Sequence, residues 1–121
     1  MPDLRTNTPL IPAARTEGAD AVVAVIDGEI DLKNSGDLRE ALFDLISKQP
    51  TKRLVLNLAK VPYMDSSGIA VLVEILGKLR KVGGKVFLTN VQRRVQGILE
   101  IAKLNAIFGV VPDEATALGR S

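Results

Sequence analysis

The stretch Arg53-Leu54-Val55-Leu56-Asn57-Leu58-Ala59-Lys60-Val61-Pro62-Tyr63-Met64-Asp65-Ser66-Ser67-Gly68-Ile69-Ala70-Val71-Leu72-Val73 decides the fold. Arg53 to Leu58 has the short apolar run of a strand buried within a sheet. From Ser66 to about Val82 the pattern is helical, and Gly83-Gly84 closes it. The residues between are a loop at the carboxyl end of a strand, opening a helix. Upstream, Ala21-Val22-Val23-Ala24-Val25-Ile26 is β-branched and apolar on both faces, as expected of a strand in a sheet covered on both sides. Downstream, Lys85 to Thr89 is a third buried strand.

The remaining elements fall into place around these. Asn34-Ser35-Gly36-Asp37 signals a helix start. Leu38, Ala41, Leu42, Leu45 and Ile46 then form one helical face, and Pro50 ends it. Val91, Val95, Ile98, Leu99 and Ala102 mark another helix. Phe108 to Val111 suits a last short strand, and Asp113 to Leu118 a terminal helical turn. Pro12 to Thr16 suits a short edge strand, turning through Glu17-Gly18-Ala19-Asp20. Strand starts near 21, 53, 85 and 107 have the spacing of strand–helix–strand crossovers, which make parallel pairs. The fold class is therefore α/β, a mixed and mostly parallel β-sheet with an antiparallel edge hairpin, packed with α-helices. Residues 1–11, with Pro2 and Pro9, are expected to be a flexible N-terminal arm. Residues 12–118 form a single domain, and no repeat or low-complexity stretch interrupts it.

Composition narrows the chemistry. The 121 residues contain no cysteine and no histidine. Disulfides, thiolate metal sites, imidazole acid–base catalysis and the Ser-His-Asp triad are excluded. Aromatic residues are 3% of the chain, too few for base-stacking platforms. No Ser-x-x-Lys motif and no glycine-rich phosphate loop is present. The expectation is a protein that is not an enzyme, with no cofactor and no metal. The net charge is +2, and apart from Lys52-Arg53 and Arg93-Arg94 the basic residues are dispersed, which argues against nucleic-acid binding. The first residues lack the apolar core of a signal peptide. No apolar run approaches the roughly 20 residues that span a bilayer. A cytoplasmic protein without membrane insertion is expected.

The candidate site is the loop Val61 to Gly68. Sites in α/β domains lie outside the carboxyl ends of parallel strands. A helix N-terminus there presents free N–H groups and the positive end of the dipole, so a phosphate on one of its serines is well placed. Asp65 and the serines are also ordinary N-caps, and simple capping is the alternative reading. Tyr63 and Met64 are either docking residues in an exposed loop or a hydrophobic staple onto the first helical turn. Ile69 to Leu76 is apolar nearly all round, and that face needs either a neighbouring helix or a partner.

Met64-Asp65-Ser66-Ser67-Gly68 followed by an apolar helix resembles the signature of STAS domains, specifically the bacterial anti-sigma-factor antagonists. Gly28-Glu29-Ile30-Asp31 is similar to the family's glycine-acidic-leucine-aspartate turn. Leu54 to Leu58, Val61, Gly83-Gly84, Asn90-Val91 and Ile98-Leu99-Glu100 match in order and spacing. The resemblance implies a STAS fold and a partner-switching role. The unphosphorylated antagonist would bind an anti-sigma factor that is itself a GHKL-type serine kinase and so release the sigma factor. Phosphorylation would switch binding off, and a PP2C-type phosphatase would reset it. It implies Ser66 as phosphoacceptor, with Ser67 as runner-up. The partner-binding set is Asp31, Tyr63, Met64, Asp65, Ser67, Gly68, Ile69 and Ala70. A STAS scaffold or adaptor subunit of a signalling or transport complex is the alternative. The chain departs from the family at Gly68-Ile69-Ala70, where a second glycine is usual, and at Gln92-Arg93, where Ser-Pro is usual. The glycine expected near the end of the third helix is Lys103 or Asn105, and an asparagine can take the left-handed cap.

Overall fold

A computed structural model describes residues 3–120. Six strands form one sheet in the order of the chain: β1 (Asp3–Leu4), β2 (Ala13–Glu17), β3 (Ala21–Asp27), β4 (Arg53–Lys60), β5 (Lys85–Thr89) and β6 (Gly109–Val111). β1, β2 and β3 pair antiparallel, and β3 to β6 pair parallel. Four helices complete the domain: α1 (Ser35–Lys48), α2 (Ser66–Arg80), α3 (Arg93–Ile101) and the short α4 (Glu114–Ala117). The mixed, mostly parallel sheet with an antiparallel edge is the one its sequence predicts.

The antiparallel edge is one strand wider than expected. Asp3 and Leu4 pair with Arg15 and Ala14, so β2 is not the edge. The expectation of a loose arm over residues 1–11 is corrected over its described part. The Thr6 hydroxyl donates to the carbonyls of Thr8 (3.2 Å) and Ile11 (2.9 Å), and Ile11 is buried. Residues 1–11 show no strand period, because a two-residue strand has too little length to display one.

The parallel strands advance in one direction across the sheet, so crossovers of one hand set the long helices on one face. Val22, Ala24 and Ile26 of β3, Leu54, Leu56 and Leu58 of β4, and Val86 and Leu88 of β5 meet the buried faces of α1, α2 and α3 in one core. The opposite face is not covered by a helical layer, contrary to the two-sided cover expected. There the row Arg15, Val23, Val55, Phe87 and Gly109 runs across neighbouring strands. Ala117 of α4 and Leu118 cover its apolar centre. Polar ties hold this strap: Arg15 Nη2 donates to Glu114 (2.8 Å), Asn57 Nδ2 to Glu114 (2.7 Å), Arg120 to Glu17 (2.7 Å) and Arg53 to the Ala117 carbonyl (2.6 Å). A single turn of helix thus suffices where the sequence reads as double cover. No helix among the described residues is long and apolar enough to cross a membrane.

Two helix ends depart from the expected chemistry. Asn34 stands at the N-cap of α1, but its side chain makes no capping bond. Its Oδ1 instead accepts from the Asp31 N–H (2.8 Å), while Asp31 Oδ1 accepts from the Lys33 and Asn34 N–H groups (2.9 and 3.2 Å). After α3 the left-handed position is taken by Lys103 (φ 59°), not by Asn105.

Candidate functional site

The site is built where β4 leaves the sheet. Val61 and Met64 are fully buried and anchor the loop from below. Met64 lies beside Ile30 in an isolated parallel bridge, so the exit of β3 and the loop after β4 are stitched together. The Ile30 N–H donates to the Tyr63 carbonyl (3.1 Å), and the Asp65 N–H to the Ile30 carbonyl (3.0 Å). Two loops that are distant in sequence thereby act as one platform.

Asp65 then starts α2. Its Oδ1 accepts from the Ser67 N–H (2.9 Å), the Ser67 hydroxyl (2.5 Å) and, more loosely, the Gly68 N–H (3.4 Å). These donors hold its carboxyl below the usual carboxylate range, the Ser67 hydroxyl most of all. The N–H groups of Ser67, Gly68 and Leu32 add to that pull, and partial desolvation opposes it. The side chain is therefore ionised throughout the neutral range. Ser66, the first helical residue, is exposed. Among the described residues its hydroxyl has no hydrogen-bond partner, in contrast to that of Ser67. Simple capping therefore accounts for Asp65 and Ser67 but leaves Ser66 over.

Gly68 is buried because the helix start sits directly on the β3 exit. A Cβ there would lie 2.9 Å from Ile30 Cγ2 and 3.1 Å from Met64 Cβ. This corrects the expected placement of Met64 and Gly68 on the docking surface: both are inside, and both shape the loop from beneath. Of the two apolar loop residues, Met64 joins the core, with Ile69 packed against it. Tyr63 stays half-buried, with the Arg94 guanidinium of α3 4.7 Å from its ring centre.

A neighbouring helix, the first of the two expected covers, takes only part of α2. α1 takes one flank of α2, where the Arg39 guanidinium pairs with the Glu74 carboxylate. Ala70, Val73 and Gly77 remain exposed, in line with Ser66 at helical spacing. Asp31 and Asp65 are half-buried at the same edge. One residue absent from the expected set joins them. Leu32 is 81% exposed, in the turn whose N–H faces Asp65. The sequence signal was an apolar residue set between Asp31 and Lys33. It passes easily for the continuation of a strand. Among the described residues no cluster of three acidic side chains could hold a metal ion.

Comparison with known proteins agrees with this geometry. The STAS domain family model matches residues 11–117. The anti-sigma-B factor antagonist of Bacillus subtilis (strain 168) is 34% identical over 85 residues, which are 70% of this chain and 76% of that protein. The anti-sigma F factor antagonist of Paenibacillus polymyxa is 26% identical over 97 residues, 80% of this chain and 83% of that one. The crystal structure of an anti-sigma factor antagonist from Mycobacterium paratuberculosis superposes with a TM-score of 0.77 at 23% identity, covering 88% of each chain.

Proposed function

The chain belongs to the STAS domain family, and on that premise we propose that it is an anti-sigma factor antagonist switched by phosphorylation of Ser66. The unphosphorylated form binds an anti-sigma factor of the GHKL serine-kinase class and so frees a sigma factor. A PP2C-type phosphatase returns the phosphorylated form to the pool. The observation that carries this reading is the exposed Ser66 hydroxyl, without a hydrogen-bond partner among the described residues, beside an Asp65 whose Oδ1 is taken by Ser67 and Gly68.

The docking surface is the platform edge and the outer stripe of α2: Leu32, Tyr63, Ser66, Ala70 and Val73. A small, largely apolar surface of this kind suits a partner that must desolvate it on binding. Phosphorylation adds about −1.5 to −2 charge and three strong acceptors at its centre. The Asp65 carboxylate next door is already ionised. The dipole of α2 offsets only about 0.3–1 kcal/mol of the added charge. A partner fitted to the neutral hydroxyl must then bury a dianion without pairing it, which costs several kcal/mol. No refolding is needed. The kinase supplies the chemistry, so a chain with neither histidine nor cysteine is sufficient.

The reading is tested by titrating the wild-type chain and Ser66→Asp against the purified anti-sigma factor. A loss of at least about 1.4 kcal/mol, tenfold in Kd, is expected for Ser66→Asp. Equal affinities for the two would overturn the electrostatic switch.

A further inference from the structure

We infer that Asp65 chooses between the two adjacent serines, holding Ser67 out of phosphoryl transfer so that Ser66 alone is offered. The inference rests on the reading of Ser66 as the acceptor and adds the device that makes it the only one. Both hydroxyls belong to the first turn of α2, one residue apart, and a kinase that reaches one is within a few ångströms of the other.

The geometry separates them. Ser67 gives both its N–H and its hydroxyl to Asp65 Oδ1. That carboxylate also receives the Gly68 N–H, and the Asp65 backbone is bound to the Ile30 carbonyl. A carboxylate oxygen held by the Ser67 and Gly68 N–H groups, on a backbone tied to Ile30, does not follow a hydroxyl that swings outward. In the transfer step the serine oxygen attacks the γ-phosphorus of ATP. The new O–P bond forms as the bond to the departing ADP oxygen breaks, and the hydroxyl proton passes to a base of the kinase. Ser67 must first give up a hydrogen bond to a charged group and turn out of a half-buried position. A charge-assisted bond of ordinary strength lowers the available fraction by about ten- to a hundredfold. Ser66 has no such bond to break.

The opposite role is also chemically conceivable, with Asp65 as the base that activates Ser67. It is disfavoured because hydrogen bonding holds this carboxyl below the usual range, which makes it a weak proton acceptor. The two roles give opposite results in one experiment. Wild type, Ser66→Ala, Asp65→Ala and the double variant Asp65→Ala/Ser66→Ala are incubated with the anti-sigma serine kinase and ATP, and phosphosites are mapped by mass spectrometry. Expected are no label on Ser66→Ala, label on both serines of Asp65→Ala, and label on Ser67 of the double variant. Label on Ser67 of Ser66→Ala with Asp65 intact would overturn the inference. So would an unlabelled double variant when Asp65→Ala still takes phosphate at Ser66.

A kinase-free measurement covers the case in which Asp65→Ala loses the helix start. The Asp65 carboxyl is titrated by NMR in wild type, Ser66→Ala and Ser67→Ala. Ser67→Ala is expected to raise its midpoint towards the ordinary value, and Ser66→Ala to leave it in place. A shift as large in Ser66→Ala, or none in Ser67→Ala, would overturn the clamp. If wild type takes no phosphate at all, the acceptor reading fails on its own, and the titration still decides whether Asp65 holds Ser67.

Discussion

Two helices in this domain begin the same way and do different work. α2 opens with Asp65-Ser66-Ser67-Gly68, and α4 with Asp113-Glu114-Ala115-Thr116. In each, one aspartate oxygen accepts a backbone N–H and a hydroxyl from the first turn: Ser67 in α2, Thr116 in α4 (2.8 and 2.7 Å). In each the hydroxyl is the main cause of a lowered carboxyl pKa. The cap geometry by itself therefore does not set the two helix starts apart. The difference lies in the residue left over. At the first helical position α4 has Glu114, bound by Arg15 and Asn57. At the same position α2 has Ser66, exposed and without a hydrogen-bond partner among the described residues. The cap explains why the helix starts, and the unused side chain is the one the proposed switch acts on.

The comparison can be broken at the third helical position. Gly68 is pressed against Ile30 and Met64, whereas Thr116 is exposed and carries a full side chain. Gly68→Ala is expected to cost about 1–3 kcal/mol by overpacking. Thr116→Ala, losing one exposed hydroxyl bond, should cost about 1 kcal/mol or less. Urea unfolding of the two variants measures both. Equal costs would mean that the α2 start is not seated on the β3 exit.

A smaller effect sharpens the likeness. Asp65→Ala and Asp113→Ala each remove a cap, at about 1 kcal/mol apiece. Asp65→Ala should be the more costly, because its half-buried carboxylate starts a 15-residue helix seated on the β3 exit, whereas Asp113 is exposed and starts a single turn. Thermal unfolding checks the order. A larger loss for Asp113→Ala would show that the back-face strap, not the platform, limits stability.

The smallest effect is on pH dependence. The folded pKa values of Asp65, Asp113, Glu17 and Glu74 all lie below their ordinary values. For Asp65 and Asp113 the first cause is a hydroxyl donor, for Glu17 it is Arg15, and for Glu74 it is Arg39. A depressed carboxyl contributes stability that is complete above its unfolded value of about 4 and is lost as pH falls through the folded value. No histidine titrates between 5 and 8. Denaturation midpoints should therefore be flat from pH 6 to 8 and fall below about pH 4. Ser67→Ala and Thr116→Ala should each shorten that acid-side fall slightly. A midpoint that changes between pH 6 and 8 would require a titrating group outside these pairs.

Most of this was legible in the sequence, for reasons that particular residues make clear. The three central strands and the helices between them follow from long apolar runs and helical spacing, and each lies within a few residues of its expected bounds. That the loop holds more than a cap needs was legible from two serines beside one aspartate, and the preference for Ser66 over Ser67 comes from the resemblance of Met64-Asp65-Ser66-Ser67-Gly68 to the family motif. What escaped depends on contacts between segments far apart in the chain. Met64 looks like a loop residue until Ile30 is placed beside it. Leu32 looks like strand until the Asp31–Asn34 exchange of hydrogen bonds turns the chain. Lys103 occupies a left-handed position that its side chain does not favour, so propensity pointed to Asn105 instead. The strap over the open face rests on Arg15, Asn57 and Glu114, whose pairing spans the whole chain.

The central claim is that Ser66 is the switch, and phosphosite mapping tests it most directly. Wild type and Ser66→Ala are incubated with the cognate anti-sigma kinase and ATP, and the tryptic peptide spanning Asp65 is sequenced by mass spectrometry. A single phosphate on Ser66 of wild type and none on Ser66→Ala is the expected result. Phosphate uptake by Ser66→Ala at the wild-type rate, abolished instead by Ser67→Ala, would contradict it.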